Sequence, residues 1–317
     1  MSERERLAKL SPDRLRLLEE LRRRELEAQA QVESTPASPP PVPDDAVLRE
    51  ARFGAGDEID KERYREFYDR VSRQLDDGPL REHALFLNFG YVANDNPTHA
   101  RVRLPPNRPS RNPIRLVLEL VGDAPLGPED RVLDVGCGRG GTIAVLREFF
   151  AVGPIVGLDL SSVAIASNRD RLGDARTQFV VGDAEALPFA DGSFDVVTNV
   201  ESSHSYPECE AFYAEVARVL RAGGVFLYTD MLARASLDER EAKLAALGFV
   251  CERREDITAN VLLSCDATAS TNVRAFSVEN DRSLLERFLG APDSEFYRAM
   301  KRGEQRYMLY RFRLRGR

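Results

Sequence analysis

From Arg131 to the end of the chain, short runs of β-branched and aromatic residues alternate with helical stretches, and this alternation constrains the fold more than any other feature. The runs are RVLDVG, PIVGLDL, TQFVVGD, FDVVTNV, GGVFLYTDM and FVCERRED. Strands that alternate with helices build a parallel sheet, because parallel neighbours are joined by a crossover that a helix supplies. A final run, QRYMLYRFRLR, alternates in polarity and predicts an edge strand. The expected fold class is therefore α/β, with a seven-stranded, mostly parallel sheet.

Composition narrows the partners. With 317 residues, 43% of them apolar, the chain can fill one large core and still carry appendages. A net charge of -7 and a pI near 5.3 argue against a nucleic-acid surface, which shows as a clustered excess of Lys and Arg. No apolar run reaches the roughly 18 residues of a membrane span. The opening MSERERLAKL lacks the apolar centre of a signal peptide, so no membrane partner and a cytoplasmic location are expected. Cys137, Cys209, Cys251 and Cys265 show neither CxxC spacing nor a Cys/His cluster, and neither disulfides nor a zinc site is expected.

Upstream of the alternating region the sequence divides into three parts. Residues 1–34 read as a charged helix, with Ser11 as N-cap, Pro12 as first helical residue and Leu15, Leu18 and Leu21 at helical spacing. It is either a docking element for a protein partner or a surface extension. Residues 35–58 contain STPASPPPVPDD and read as a semi-rigid linker. Residues 59–123 are mostly helical, with the amphipathic KERYREFYDRVSRQL, the aromatic LFLNFGYV and NPIRLVLELVG. Residues 124–317 form the core.

VLDVGCGRGG is a strand running into Gly136, Gly138, Gly140 and Gly141 and then into the helical TIAVLREFF. Glycines at such a turn adopt positive φ and let a ligand approach the backbone. The second strand ends in GLDLSS, placing Asp159 where a carboxylate accepts hydrogen bonds from two ribose hydroxyls. The third ends in VGDAEALPF, placing Asp183 where it meets an adenine amino group. No GxxxxGK[ST] loop is present, which argues against an ATP P-loop. NAD is the rival cofactor, but it needs room for a pyrophosphate at the helix N-terminus.

These motifs resemble the class I S-adenosylmethionine-dependent methyltransferases, closely from about Asp123 to Gly248. The resemblance implies a Rossmann-like sheet, S-adenosylmethionine as cofactor, and contacts to it from Asp134, Gly136, Cys137, Gly138, Gly140, Asp159, Leu160, Asp183, Ala184 and Asn199. Where the family commonly reads LRPGG, this chain has Ala222 before Gly223 and Gly224.

Strand four runs into ESSHSYP, at the carboxyl end where ligands of open α/β sheets bind. A hydroxyl gains nucleophilicity from a base within hydrogen-bond reach, and histidine titrates near working pH. His204 is thus the candidate base, with Glu201 as an orienting or proton-accepting partner. His83 and His99 are assigned surface or packing roles. NVESSHSYPE further resembles natural-product O-methyltransferases of the phthiotriol dimycocerosate and polyketide type. That likeness implies an N-terminal helical cap and a lid at about residues 258–300 over the substrate, with Tyr68, Phe89, Tyr91 and Tyr206 lining its pocket beside Phe67 and Phe86. It implies a methyl transfer to a hydroxyl of a small, partly apolar natural product, either free or presented by a carrier protein docked on the N-terminal helix. Carbon or nitrogen methylation and a non-catalytic scaffold are the alternatives. No metal is expected, although Asp230 and Asp266 stay open as ligands.

Overall fold

The computed structural model describes residues 58–77, 84–93, 102–275, 292 and 294–316. The chain splits into two units, Met1–Ala46 and Val47–Arg317, and every described residue belongs to the second. The expected N-terminal helix, nearly all of the Pro-rich linker, His83 and His99 lie outside the described residues.

In chain order the elements are α1 (Glu58–Asp77), α2 (Arg111–Val121), β1 (Val132–Val135), α3 (Gly141–Phe149), β2 (Ile155–Asp159), α4 (Ser162–Leu172), β3 (Thr177–Val181), β4 (Phe194–Val200), α5 (Cys209–Val219), β5 (Leu220–Ala233), α6 (Leu237–Ala246), β6 (Phe249–Asp256), α7 (Thr258–Ala275), α8 (Glu295–Arg302) and β7 (Gln305–Leu314). All seven runs form strands of one sheet, ordered β3-β2-β1-β4-β5-β7-β6. β1 to β5 are parallel, and β7 runs antiparallel to both of its neighbours. This is the Rossmann-like sheet expected from the motifs.

The last strand corrects one expectation. β7 is not at the edge but lies between β5 and β6, and β6 is the edge. Tyr307, Met308, Leu309 and Tyr310 are buried in succession, which requires cover on both faces. The polar character that suggested an edge comes from arginines that reach acidic partners, Arg311 to Asp123 and Arg313 to Glu252. FVCERRED carries the true edge signature, a run of charged residues that blunts further strand pairing.

Both faces of the sheet are covered, and for that reason β1 to β4 read as nearly continuous apolar runs. On one face Leu116, Val117 and Leu120 of α2 pack with Ile143 and Leu146 of α3 and Val261 of α7. On the other, Phe212 and Val216 of α5 and Leu244 of α6 pack against Phe226 and Phe312. Each of these side chains contributes about 1.5–3 kcal/mol of burial. α2 is thus part of the layer that covers the sheet, and Arg253 of β6 is tied to its Glu119 in a buried pair at 2.6 Å. Strand order reverses between β1 and β4, and the crevice at their carboxyl ends is where ligands of such sheets bind.

Candidate active site

The crevice begins where β1 meets α3. Gly136 and Gly138 have φ of 69° and 49°, a region that residues with side chains rarely adopt. A β-carbon at Gly136 would lie 2.6 Å from the Tyr206 hydroxyl oxygen, so the turn closes against the loop after β4 with no space for a side chain. Asp159 at the end of β2 is already oriented: Gly138 N–H donates to Oδ2 at 2.7 Å and Ser161 N–H to Oδ1 at 2.9 Å. Burial raises its pKa against those donors. Asp134 lies beneath the turn, where Oδ1 accepts from Thr198 Oγ1 at 2.7 Å and Oδ2 has no partner; burial pushes it up to about 7.

At the third strand end, Asp183 accepts from Lys61 Nζ at 2.7 Å, and the same ammonium pairs with Glu185. Burial works to lower the Lys61 pKa, but the two carboxylates hold it above its ordinary value. Lys61 was not foreseen, since KERYREF reads as one more charged helix face. Asp159, Leu160, Asp183 and Ala184 line one cavity together with Gly136, Cys137 and Gly138. A side-chain-free turn, a pre-oriented carboxylate and a second carboxylate at three adjacent strand ends fit an adenosyl cofactor. Gly140, Asp134 and Asn199 do not line the cavity. Asn199 is fully buried and ties β4 to β1, donating from Nδ2 to Val135 O at 2.9 Å and to Ser202 Oγ at 2.7 Å.

Two titratable side chains, Glu201 and His204, follow the end of β4. Glu201 has φ of 52°, a left-handed conformation that costs a residue with a β-carbon about 1–3 kcal/mol. Its carboxyl Oε2 accepts from Phe89 N–H at 2.8 Å and from the Tyr307 hydroxyl at 2.5 Å. Burial pushes its pKa up to about 8. A short 3-10 turn, Ser203–Ser205, then presents His204. The partner of His204 is Asp230 of β5 rather than Glu201. His204 Nδ1 lies 2.7 Å from Asp230 Oδ1, while Asp230 Oδ2 accepts from the His204 backbone N–H at 3.0 Å and from Ser203 Oγ at 2.5 Å. An Nδ1–H held by this carboxylate leaves Nε2 as the basic nitrogen. Burial would lower the His204 pKa, but the Asp230 charge and hydrogen bond more than offset it and the net shift is upward. Asp230, although fully buried, is held below the usual carboxylate range by His204. The signal for it in the sequence was a lone acid closing the apolar run VFLYTDM.

The cavity has a volume of about 380 Å³. Of the expected aromatics, Phe67, Tyr68, Phe86, Phe89 and Tyr206 line it, as do Glu201 and His204. Tyr91 does not: the chain turns at Gly90, φ 77°, and Tyr91 N–H bonds to Asn112 O at the start of α2, burying the ring in the core. Phe296 of α8 enters instead, its ring edge-on to His204 at 6.2 Å. α7 and α8 belong to the segment expected as a lid. Asp230 is committed to His204, and Asp266 meets the Tyr297 hydroxyl at 2.6 Å. Among the described residues no three His, Cys, Asp or Glu side chains group as a metal site, and no helix is long and apolar enough to cross a membrane.

Comparison with known proteins agrees with this geometry. Residues 133–228 match the family described as a methyltransferase domain. A fatty-acid O-methyltransferase of Mycolicibacterium smegmatis is 42% identical over 178 residues, 56% of this chain, which spans only 62% of that relative. A phthiotriol/phenolphthiotriol dimycocerosates methyltransferase of Mycobacterium tuberculosis is 32% identical over 264 residues, covering 78% of this chain and 91% of the relative. Among solved structures, the [4+2]-cyclase SpnF superposes with a TM-score of 0.65 at 22% identity, covering 81% of this chain and 97% of its own. A geranyl diphosphate methyltransferase bound to geranyl diphosphate and sinefungin gives 0.59 at 19%, covering 80% and 99%. These structural likenesses concern the fold alone. The glycine turn, the Asp159 cradle and the near full-length match to the M. tuberculosis enzyme lead to one conclusion: the chain belongs to the S-adenosylmethionine-dependent methyltransferases, in the family of the phthiotriol/phenolphthiotriol dimycocerosates methyltransferases.

Proposed function

We propose that this enzyme methylates a hydroxyl group of a small, partly apolar natural product, with His204 as the general base. The observation that carries this reading is His204, which follows β4 and lines the cavity that Asp159 and Asp183 share, held from behind by the buried Asp230 of β5 at 2.7 Å. Asp159 would hold the ribose hydroxyls of the cofactor, and Asp183 with Ala184 would border its adenine. The bound cofactor supplies an electrophilic methyl on sulfur. His204 Nε2 takes the proton of the attacking hydroxyl, and Asp230 stabilises the imidazolium that results. A positioned base of this kind contributes roughly 10²–10⁴ in rate. Aromatic rings around the cavity favour an apolar acceptor, and the relative named as a fatty-acid O-methyltransferase supports oxygen as the atom methylated.

The test incubates the full chain and its His204→Ala variant with methyl-labelled S-adenosylmethionine and an extract of the source cells, and locates the label by mass and NMR. The expected product is a methylated oxygen in a lipophilic molecule, reduced about 10²-fold or more in the variant. Undiminished labelling by His204→Ala, or label on carbon or nitrogen, would overturn the reading.

A further inference from the structure

The proton transfer assigned to His204 leaves one cavity-facing group without a task. Glu201 lines the cavity, and its two carboxyl oxygens are unlike. Oε2 accepts two hydrogen bonds, from Phe89 N–H at 2.8 Å and Tyr307 O–H at 2.5 Å, which fill both of its lone pairs. Oε1 has no hydrogen-bond partner among the described residues and, unlike Asp134 Oδ2, is not sealed from the cavity. The two donors on Oε2 favour the ionised carboxyl and burial opposes them; in the neutral form the proton sits on Oε1, the oxygen that these donors leave open to the cavity, and donates one hydrogen bond.

The surroundings favour that neutral form. Tyr307 of β7 bonds to Glu201 directly, and the titratable groups near enough to act on it electrostatically are His204 of the turn, Asp230 of β5, Cys265 of α7 and Tyr68 of α1. Burial, the largest influence, and the Asp230 charge oppose ionisation, whereas the hydrogen bonds from Tyr307 and Phe89 and the charge of a protonated His204 favour it, and the balance lies at about 8. Glycine would hold the left-handed backbone of residue 201 without strain, yet the chain carries a carboxyl there, against the site.

We propose that the acceptor carries a second oxygen, as a carbonyl, ether or further hydroxyl close to the hydroxyl that is methylated, and that Glu201 recognises it by donating a hydrogen bond from Oε1. The inference rests on the O-methylation reading of the same cavity. It makes the substrate a hydroxy-carbonyl or diol segment within an apolar molecule: His204 takes the proton of one oxygen while Glu201 binds its neighbour. An acceptor without the second oxygen leaves the buried donor unpaired and is disfavoured by about tenfold.

The experiment uses the full chain, methyl-labelled S-adenosylmethionine and the same cell extract, followed by NMR of the labelled product and then kinetics on the isolated acceptor. A methoxyl whose carbon neighbours another oxygenated carbon, directly or one carbon away, supports the proposal. An isolated methoxyl overturns it while leaving O-methylation intact, and label on carbon or nitrogen removes the underlying reading as well. Glu201→Gln keeps an acceptor for Phe89 and Tyr307 and an N–H donor toward the cavity, so it should lower kcat/KM by no more than about tenfold. Wild-type kcat/KM should fall as pH rises above about 8, and in Glu201→Gln that fall should vanish. Glu201→Leu should lose about a hundredfold, expressed mainly in KM. An alkaline fall that persists in Glu201→Gln, or a Glu201→Leu variant as active as Glu201→Gln, overturns the proposal. Binding of S-adenosylhomocysteine reports that each variant is folded, and Glu201→Gln alone decides if Glu201→Leu is not.

Discussion

In the proposed mechanism His204 acts as a base through Nε2, and Asp230 supports it by accepting from Nδ1–H at 2.7 Å. Its carboxylate also raises the imidazole pKa, which sets the direction of a test. Asp230→Asn removes the charge, so His204 should titrate at lower pH. Because the base works in its neutral form, the acidic limb of kcat/KM should move to lower pH while the plateau falls about 10²-fold. The shift can be followed directly by NMR titration, since the chain holds only three histidines. An unmoved acidic limb with an unchanged plateau would separate Asp230 from the chemistry. At Gly136 the same loop permits a second test. A Gly136→Ala methyl meets Ser202 and Tyr206 at a positive φ, and S-adenosylhomocysteine binding should weaken at least tenfold by calorimetry.

One helix, α1, touches all three strand-end loops of the proposed cofactor site through charged side chains. Its Asp69 accepts from Ser161 Oγ at 2.5 Å, two residues after Asp159, and its Lys61 pairs with Asp183. Its Asp76 accepts from Arg139 at 2.7 Å and from Ser167 Oγ at 2.9 Å. Arg139 stands inside the glycine turn, fully buried, and also donates to Ser72 O of α1 and to Ala84 O. These contacts predict that docking of α1 is coupled to the order of those loops, so S-adenosylhomocysteine should slow amide exchange along residues 58–77. Arg139→Met leaves Asp76 with Ser167 but without its guanidinium, and should speed that exchange and weaken the cofactor about tenfold or more. Exchange in α1 that ignores both the ligand and the substitution would mean that its apolar face alone holds it. The same element shows what the sequence could and could not reveal. Strands and the glycine turn were legible because their signals are local: apolar runs of fixed length, and glycines where the backbone needs positive φ. Lys61 and Asp183 are 122 residues apart, Arg139 and Asp76 are 63 apart, and nothing in KERYREF or GCGRGG announces the pairing. Tyr91 was misplaced for a related reason, since a turn at Gly90 decides which of two neighbouring aromatics enters the cavity.

Across the whole molecule, apolar packing fills both faces of the sheet while unfavourable ionisations gather at its carboxyl edge. Asp134, Asp159 and Glu201 each have a pKa above the ordinary value in the folded chain, at about 7 for Asp134 and about 8 for Glu201. Their protonated forms favour folding, so their stabilisation is complete below the ordinary values of 3.8 and 4.5 and is lost as pH rises, toward 7 for Asp134 and toward 8 for Glu201. His204, also raised, stabilises fully below its ordinary 6.5 and loses that contribution above it. Asp230 and Asp76 are depressed by their cationic partners and act in the opposite sense, but only as pH falls below their ordinary 3.8. Between about pH 5 and 8.5 the raised group therefore governs, and the cofactor-free enzyme should melt at progressively lower temperature as pH rises. A pKa unit is worth about 1.4 kcal/mol. A net effect of a few kcal/mol lowers Tm by roughly 5–10 °C in a domain of this size. Glu201→Gln removes one of the largest contributors without emptying the site, so its Tm should decline less steeply and approach or exceed that of the wild type at pH 8.5. Calorimetric melting of both proteins at intervals across this range decides the matter: parallel declines would assign the loss to groups away from Glu201, and a wild-type Tm that does not fall would show that the site carries no such ionisation load.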